Sequence, residues 1–141
     1  MKIIYLLDTN IISQVTKPLP AQGVITNLEL HAGSCAISSI TWFELLNGVG
    51  QLPEGAKKEK LRSFIMDSVQ SSFPIIPYDE HAAWVNADIT EQLIHLGKPT
   101  PILDTQIASI AIANNLILVT DNIKDFQIFC EYGKLMLENW G

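Results

Sequence analysis

The sequence predicts an α/β fold in which a mainly parallel sheet is covered by helices on both faces. Short apolar segments rich in β-forming residues occur at 3–7, 35–37, 74–78 and 116–119. Segments with helical periodicity separate these strands, and the alternation implies right-handed crossovers between parallel strands. The chain has 141 residues, of which 48% are hydrophobic, so it can bury a substantial core as a single domain.

Capping residues and prolines define the first helices. Thr9 follows the strand at 3–7 and is placed to cap a short helix. Pro18 and Pro20 end this helix and begin a second one, which we expect to stop at Gly33. Both helices therefore lie between the first and second strands.

The third helix begins directly after the second strand. Ser38 or Ser39 caps it, and we expect Gly48 and Gly50 to break it. A loop that contains glycine and proline then leads to an amphipathic helix over residues 56–69, with apolar side chains on one face.

Two further helices lie between the third and fourth strands. Asp79 caps a long helix that Gly97 closes, and a helix rich in alanine and isoleucine covers 102–114. The tail is expected to add one edge strand near Leu135.

The carboxyl ends of parallel strands meet at one rim of the sheet, where ligands usually bind. Several polar residues are therefore expected near that rim: Asp8, Ser38, Ser39, Asp79 and Asp121.

The charge balance does not support a protein that binds nucleic acid through a basic surface. Nine basic and 15 acidic residues give a net charge of −6, and Arg62 is the only arginine. A bound nucleic acid would have to be held by metal ions, helix N-termini or a partner's arginines. The low share of charged residues, 17%, also indicates that a partner covers some of the apolar surface.

The cysteine content and the first residues predict a cytoplasmic protein. Cys35 and Cys130 are too few for a disulfide framework, and we interpret both as reduced thiols. The apolar run at 3–7 is too short for a signal peptide, and no run approaches the ~20 residues of a membrane helix.

Five acidic residues are candidates for a functional site. Asp8 directly follows the first strand, Glu44 lies in an otherwise apolar helix, and Asp104 is in the first turn of a later helix. Asp121 and Asp125 follow the fourth strand. Taken singly, each has an ordinary explanation: Asp8 or Asp104 as a helix cap, the others as solvated side chains.

Asp104 is the most informative of these acids because of its helical neighbours. Ile107, Ala108 and Ala111 lie on the same stripe, which predicts that the carboxylate is partly buried. No lysine or arginine occurs between residues 98 and 124 to neutralise it.

Gathered carboxylates repel one another, and a hard divalent cation removes that repulsion. Mg²⁺ or Mn²⁺ binds oxygen ligands, usually one or two carboxylates together with waters and substrate phosphate. Such a site activates water and holds a scissile phosphate. It would also let an acidic protein bind a polyanion.

Other catalytic motifs are missing from the sequence. It contains no phosphate-binding loop with a Gly-Lys pair, no Cys-x-x-Cys and no Gly-x-Ser-x-Gly. His31, His81 and His95 lack metal-ligand spacing. An aspartyl-nucleophile phosphatase would need an aspartate where Asn10 stands.

The motifs together resemble the PIN-domain nucleases, in particular the VapC-type toxins and the related FitB branch of bacterial toxin–antitoxin pairs. The matching blocks are LDTN at 7–10, ISSIT at 37–41 with Glu44, ILDTQIA at 102–108, VTDNIKDF at 119–126 and ENW at 138–140. Their order and spacing match across nearly the whole chain.

The resemblance implies a three-layer α/β/α PIN-like nuclease domain over residues 1–141. It implies a Mg²⁺- or Mn²⁺-dependent endoribonuclease that cuts RNA, for example tRNA, and acts as a toxin. It also implies a cognate antitoxin that inserts into the active-site groove, and a homodimer. The alternative is a catalytically inactive PIN-fold module that only binds protein.

The resemblance also implies roles for individual residues. Asp8, Glu44 and Asp104 carry over as the acidic core, with Asp8 and Asp104 as the first choices for direct metal contact. Glu44 and Asp121 are further candidate metal ligands, and the fourth catalytic acid is Asp121 or Asp125. Four polar residues would orient waters or phosphate around them: Thr9, Asn10, Thr120 and Asn122.

Overall fold

A computed structural model describes residues 2–141. Within that range five strands form one parallel sheet. The strands are β1 (Tyr5–Leu7), β2 (Cys35–Ser38), β3 (Ile75–Ile76), β4 (Ile117–Val119) and β5 (Met136–Glu138). Their order in the sheet is β3-β2-β1-β4-β5, so β1 is central. The edge strand expected near Leu135 is therefore present as β5.

Seven helices connect the strands in residues 2–141. They are α1 (Thr9–Val15), α2 (Gln22–Leu30), α3 (Ser39–Gly50), α4 (56–72), α5 (Glu80–His95), α6 (Ile102–Ala113) and α7 (Ile123–Gly133). Helix α4 is α-helical over Ala56–Ser63, π-helical over Phe64–Val69 and α-helical again over Gln70–Ser72. None of the helices in this range is long and apolar enough to span a bilayer.

The strand order creates a crevice beside β1. The chain moves outward from β1 through β2 to β3, and then returns to the other side of β1 to form β4 and β5. The connections that leave β1 and β4 diverge, and this is where open α/β sheets bind ligands. Because Leu7 pairs with Val119, the residues that follow β1 and β4 emerge side by side at this point.

The side chains of the central strands alternate between two cores. Leu6 and Leu118 face a core formed with α5, α6 and α7, whereas Leu7 and Val119 face a core formed with α1 to α4. This alternation is the period of two that a strand imposes. The predicted fold class, a parallel sheet with helices on both faces, is thus confirmed.

The boundaries of α1 and α3 differ from those predicted. The N-cap of α1 is Asp8 and not Thr9: the Asp8 carboxylate accepts a hydrogen bond from the Thr9 backbone N–H. Helix α3, capped by Ser38, continues through Gly48 to Gly50. A glycine inside a helix costs only about 1 kcal/mol, and the buried face of α3 outweighs that cost.

One helix, α7, was not predicted at all. Its buried face contains Phe126 and Phe129, spaced three residues apart, which is the signal that the sequence offered. Its C-cap is Lys134, which adopts the left-handed conformation with φ 61°. Glycine usually occupies such a position, but here the glycine is Gly133, one residue earlier, as the last residue of the helix.

Gly23 in α2 lets this helix lie directly against the C-terminal segment. A Cβ atom at this position would collide with the backbone carbonyl oxygen of Trp140. We expect Gly23→Ala to lower the free energy of unfolding by about 1–3 kcal/mol, because backbone has to move. The matched control is Gly48→Ala, also inside a helix, where a Cβ meets nothing within 4 Å.

Urea unfolding of both variants tests this contact. The control should be neutral or up to about 1 kcal/mol more stable, since alanine favours helix. Equal stability of Gly23→Ala and the parent chain would show that α2 does not pack this closely on the C-terminal segment.

Candidate functional site

Asp8 stands at the carboxyl end of β1, in the crevice between β1 and β4. It is only 6% exposed. Its Oδ1 accepts from the Thr9 N–H at 2.8 Å, and its Oδ2 accepts from the Thr120 hydroxyl at 2.8 Å. The parallel pairing of β1 with β4 places Thr120 beside Asp8, so the sheet itself sets the direction of this carboxylate.

Asn10 connects the ends of the two strands. Its Nδ2 lies 3.3 Å from Asp8 Oδ2 and 3.3 Å from Thr120 Oγ1, while its Oδ1 accepts from the Asp121 N–H at 3.2 Å. The Asn122 N–H donates to Thr120 Oγ1 at 3.0 Å. The residues expected to act behind the acids therefore belong to one hydrogen-bonded network.

Glu44 reaches the same network from α3. The Thr9 hydroxyl donates to Glu44 Oε1 at 2.7 Å, and Thr41 Oγ1 lies 3.3 Å from Thr9 Oγ1. The Thr9 hydroxyl therefore faces both Glu44 and Thr41, and the contact with Glu44 is the shorter of the two. Thr41, which is buried, is a site residue that sequence reasoning missed, although its spacing of three from Glu44 puts both on one helix face.

Asp104 enters from α6, on the opposite layer of the molecule. Its pKa is raised to about 6, first by burial and then by the negative charges of Asp8, Asp125 and Glu44. The N-cap of α6 is Pro101, so the simple capping explanation for Asp104 does not apply. The carboxylates of the two helix layers are thus near enough for their charges to act on one another.

The environment of Asp8 shifts its pKa in the same direction. Burial is the largest cause and raises the pKa, and the charges of Glu44 and Asp121 raise it further. The hydrogen bonds from Thr120 and Thr9 stabilise the ionised form and partly oppose this rise.

Asp121 and Asp125 occupy different surroundings. The Asp121 Oδ2 accepts from Gln14 Nε2 at 3.2 Å, and its buried Oδ1 has no hydrogen-bond partner. Asp125 is exposed in the first turn of α7 and is one of the charges that act on Asp104. Gln14 also accepts from the Ala21 N–H at 3.3 Å, so Asp121 is tied to the chain that follows α1.

The donor set fits a hard cation. It consists of carboxylates without a basic partner, and in residues 2–141 the only ion pair is Lys58 with Glu54. No three His, Cys, Asp or Glu side chains in this range are grouped tightly enough to enclose a metal ion. Mg²⁺ normally keeps several waters and contacts one or two carboxylates directly, so such an open arrangement suits it better than it suits a fully protein-bound ion.

Comparison with known families decides the identity of this fold. The sequence model of the PIN domain matches residues 5–132. The chain belongs to the PIN domain family.

Two curated relatives of this PIN domain are ribonucleases by name. Ribonuclease VapC2 of Rickettsia felis is 36% identical, over 98% of this chain and 98% of its own length. The tRNA(fMet)-specific endonuclease VapC of Shigella flexneri is 32% identical, over 96% of this chain and 97% of its own. The predicted membership of the VapC and FitB ribonuclease toxins is thereby confirmed.

Solved structures give the same result for the fold. VapBC2 of Rickettsia felis, bound to a DNA fragment from its promoter, has a TM-score of 0.83 at 35% identity and covers 99% of this chain and 100% of its own. FitAB bound to a DNA fragment has a TM-score of 0.86 at 29% identity, with coverages of 98% and 96%. The three-layer PIN-domain arrangement is therefore shared along nearly the full length of the chain.

Proposed function

We propose that this chain is a divalent-metal-dependent endoribonuclease and the toxin of a toxin–antitoxin pair. The observation that carries the proposal is the hydrogen-bonded chain from Asp8 through Thr9 to Glu44 at the end of the central strand, with Asp104 near enough for both carboxylates to raise its pKa, in a chain of the VapC and FitB ribonuclease family. Residues 1–141 would form a single nuclease domain.

Asp8 and Asp104 are the carboxylates that we assign to direct contact with Mg²⁺ or Mn²⁺, with Glu44 and Asp121 around them. When bound, the ion supplies an activated water and neutralises charge on the phosphate. Thr9 links Asp8 to Glu44, since its N–H binds the first and its hydroxyl the second. This fixes the spacing of the two carboxylates before RNA arrives.

The fourth catalytic acid is assigned to Asp125. Its charge acts on Asp104, and its side chain is exposed. Asp121 is assigned a supporting role, because its carboxylate contacts Gln14 and its N–H is held by Asn10. Thr120, Asn10 and Asn122 orient the groups around Asp8.

The partners of the relatives guide the assignment of partners here. The solved relatives are complexes named VapBC and FitAB, bound to DNA, and we assign this chain a cognate antitoxin that covers its active-site groove. A relative named for tRNA(fMet) makes tRNA the first substrate to test. We also assign a homodimer and a cytoplasmic location, which suits the free thiols of Cys35 and Cys130.

The alternative of an inactive binding module is disfavoured by the ribonuclease relatives. Incubating the purified chain with total bacterial RNA and Mn²⁺ tests the proposal directly. We expect discrete cleavage products whose ends can be sequenced, and loss of cleavage when EDTA removes the metal. Intact RNA under all metal conditions would refute the nuclease function.

A further inference from the structure

Helix α1 presents two amide side chains to the residue pair that follows β4. Asn10 and Gln14 are four residues apart, so they lie on the same face of α1. Asn10 Oδ1 accepts from the Asp121 N–H at 3.2 Å, and Gln14 Nε2 donates to Asp121 Oδ2 at 3.2 Å. Helix α1 therefore holds Asp121 at two points, its backbone and its carboxylate.

Backbone N–H groups set the direction of both amides. The Asp121 N–H donates to the oxygen of Asn10. The N–H of Ala21, the N-cap of α2, donates to the oxygen of Gln14 at 3.3 Å. Each NH₂ group then faces a carboxylate oxygen, and the Asn10 Nδ2 lies 3.3 Å from Asp8 Oδ2. A continuous chain of hydrogen bonds thus connects the start of α2 with the carboxylate at the end of β1.

Gln14 is the only side chain in residues 2–141 that holds the Asp121 carboxylate. The second oxygen of this carboxylate, Oδ1, is buried and has no hydrogen-bond partner. A buried acceptor without a donor costs free energy, so loss of the Gln14 hydrogen bond would leave the whole carboxylate unpaired. We expect the side chain then to turn toward water, and the Asp121 backbone that Asn10 holds to move with it.

We propose that Gln14 is a positioning residue for the cleavage reaction: it holds Asp121, and through Asn10 it fixes the direction of the Asp8 carboxylate. The inference rests on the proposed nuclease function and adds a residue to it. Gln14 acts on the geometry of the carboxylates, so it should affect kcat and metal affinity more than KM for RNA. Substitutions behind a metal ligand typically cost about 10- to 100-fold in metal affinity or activity.

The test removes the hydrogen bond and then restores it with the two roles exchanged. Gln14→Leu keeps roughly the size of the side chain but cannot donate, and Gln14→Glu sets two carboxylates against each other. Gln14→Glu/Asp121→Asn returns an NH₂ group to the pair, with the amide and the carboxylate exchanged and the net charge of the parent chain kept.

The matched control is Gln92 in α5. Its Nε2 also donates to an aspartate carboxylate, Asp88 Oδ2, at 3.1 Å, but this pair is exposed. Gln92→Leu and Gln92→Glu/Asp88→Asn make the same chemical changes there. For every variant we would measure kcat and KM with Mn²⁺, Mn²⁺ affinity by calorimetry without RNA, and the melting temperature. Hydrogen exchange of the Asp121 N–H in the metal-free chain, followed by NMR, gives a readout that does not depend on activity.

We expect Gln14→Leu to lower kcat by about tenfold or more and to leave KM near that of the parent chain. It should also weaken Mn²⁺ binding and speed hydrogen exchange of the Asp121 N–H. The exchanged pair should recover most of the kcat that Gln14→Glu loses, and both Gln92 variants should match the parent. A purely structural role would instead lower the melting temperature and leave kcat and Mn²⁺ affinity unchanged while the chain is folded.

A parent-like kcat in Gln14→Leu would overturn the inference. So would an exchanged pair as impaired as Gln14→Glu, because the reaction would then need the Asp121 carboxylate itself. If the parent chain cleaves no RNA, it is the proposed nuclease function that fails. The exchange rate of the Asp121 N–H in Gln14→Leu would still decide whether Gln14 holds this residue in place.

Discussion

Replacing Asp8 by asparagine is expected to lower the rate of RNA cleavage by about 10³-fold or more. The substitution keeps the size of the side chain but removes the charge that we assign to the metal. It also places an NH₂ group where the Thr120 hydroxyl or the Thr9 N–H now donates. Loss of one residue of a catalytic triad costs about 10⁴- to 10⁶-fold in kcat.

The fold should survive this change and gain stability when no metal is present. Burial and the charges of Glu44 and Asp121 raise the pKa of Asp8, so ionised Asp8 destabilises the folded state at neutral pH. We expect the melting temperature of the metal-free variant to rise. A catalytic defect caused by unfolding would instead lower it.

The control is Asp67→Asn, which makes the same chemical change at an exposed position in α4. Initial rates with Mn²⁺ and melting curves of both variants should separate the two positions. If Asp8→Asn cleaves RNA within tenfold of the parent rate, the acid at the end of β1 has no direct part in catalysis.

The positions of Asp8 and Asp104 could be predicted from the sequence, whereas those of Asp121 and Asp125 depend on α7, which was not predicted. Asp8 and Asp104 could be found because an apolar strand and a periodic helix fix their positions. The choice between Asp121 and Asp125 could not be made, because it depends on α7. That helix ends at Gly133 and is capped by Lys134 in the left-handed conformation, and the spacing of its buried phenylalanines was its main signal in the sequence.

Thr41 was missed for a different physical reason. A threonine among apolar residues of a helix is usually a core residue whose hydroxyl bonds to the preceding turn. Its contact with Thr9 depends on how α1 packs against α3, and this tertiary contact has no local pattern. The hydrogen bond between α1 and α3 could therefore be identified only in the structure.

The stability of the metal-free chain is expected to decrease as the pH rises from about 4 to about 6. The pKa of Asp104 is raised from 3.8 to about 6 in the folded state, so in this range the folded chain holds a proton that the unfolded chain has released. By linkage this protonation stabilises the fold below pH 3.8, and the stabilisation is lost as the pH rises through the folded pKa.

Mn²⁺ should reverse this loss at neutral pH, because it binds the ionised carboxylates only in the folded chain. At 100 times its dissociation constant the ion would stabilise the fold by about 2.7 kcal/mol, or about 10 °C in melting temperature. At pH 5 the Mn²⁺-induced rise in melting temperature should be much smaller. Asp104, with a pKa of about 6, is then mostly protonated, and the proton competes with the metal for the carboxylate.

Asp104→Asn separates this explanation from nonspecific ion effects. The variant should lose most of the Mn²⁺ shift and most of the stability change between pH 4 and 6, whereas Asp67→Asn should keep both. Differential scanning calorimetry at several pH values, with and without Mn²⁺, measures all four quantities. If Mn²⁺ raised the melting temperature of Asp104→Asn as much as that of the parent chain, the ion would have to bind elsewhere. Asp104 would then not be the residue that links metal binding to pH.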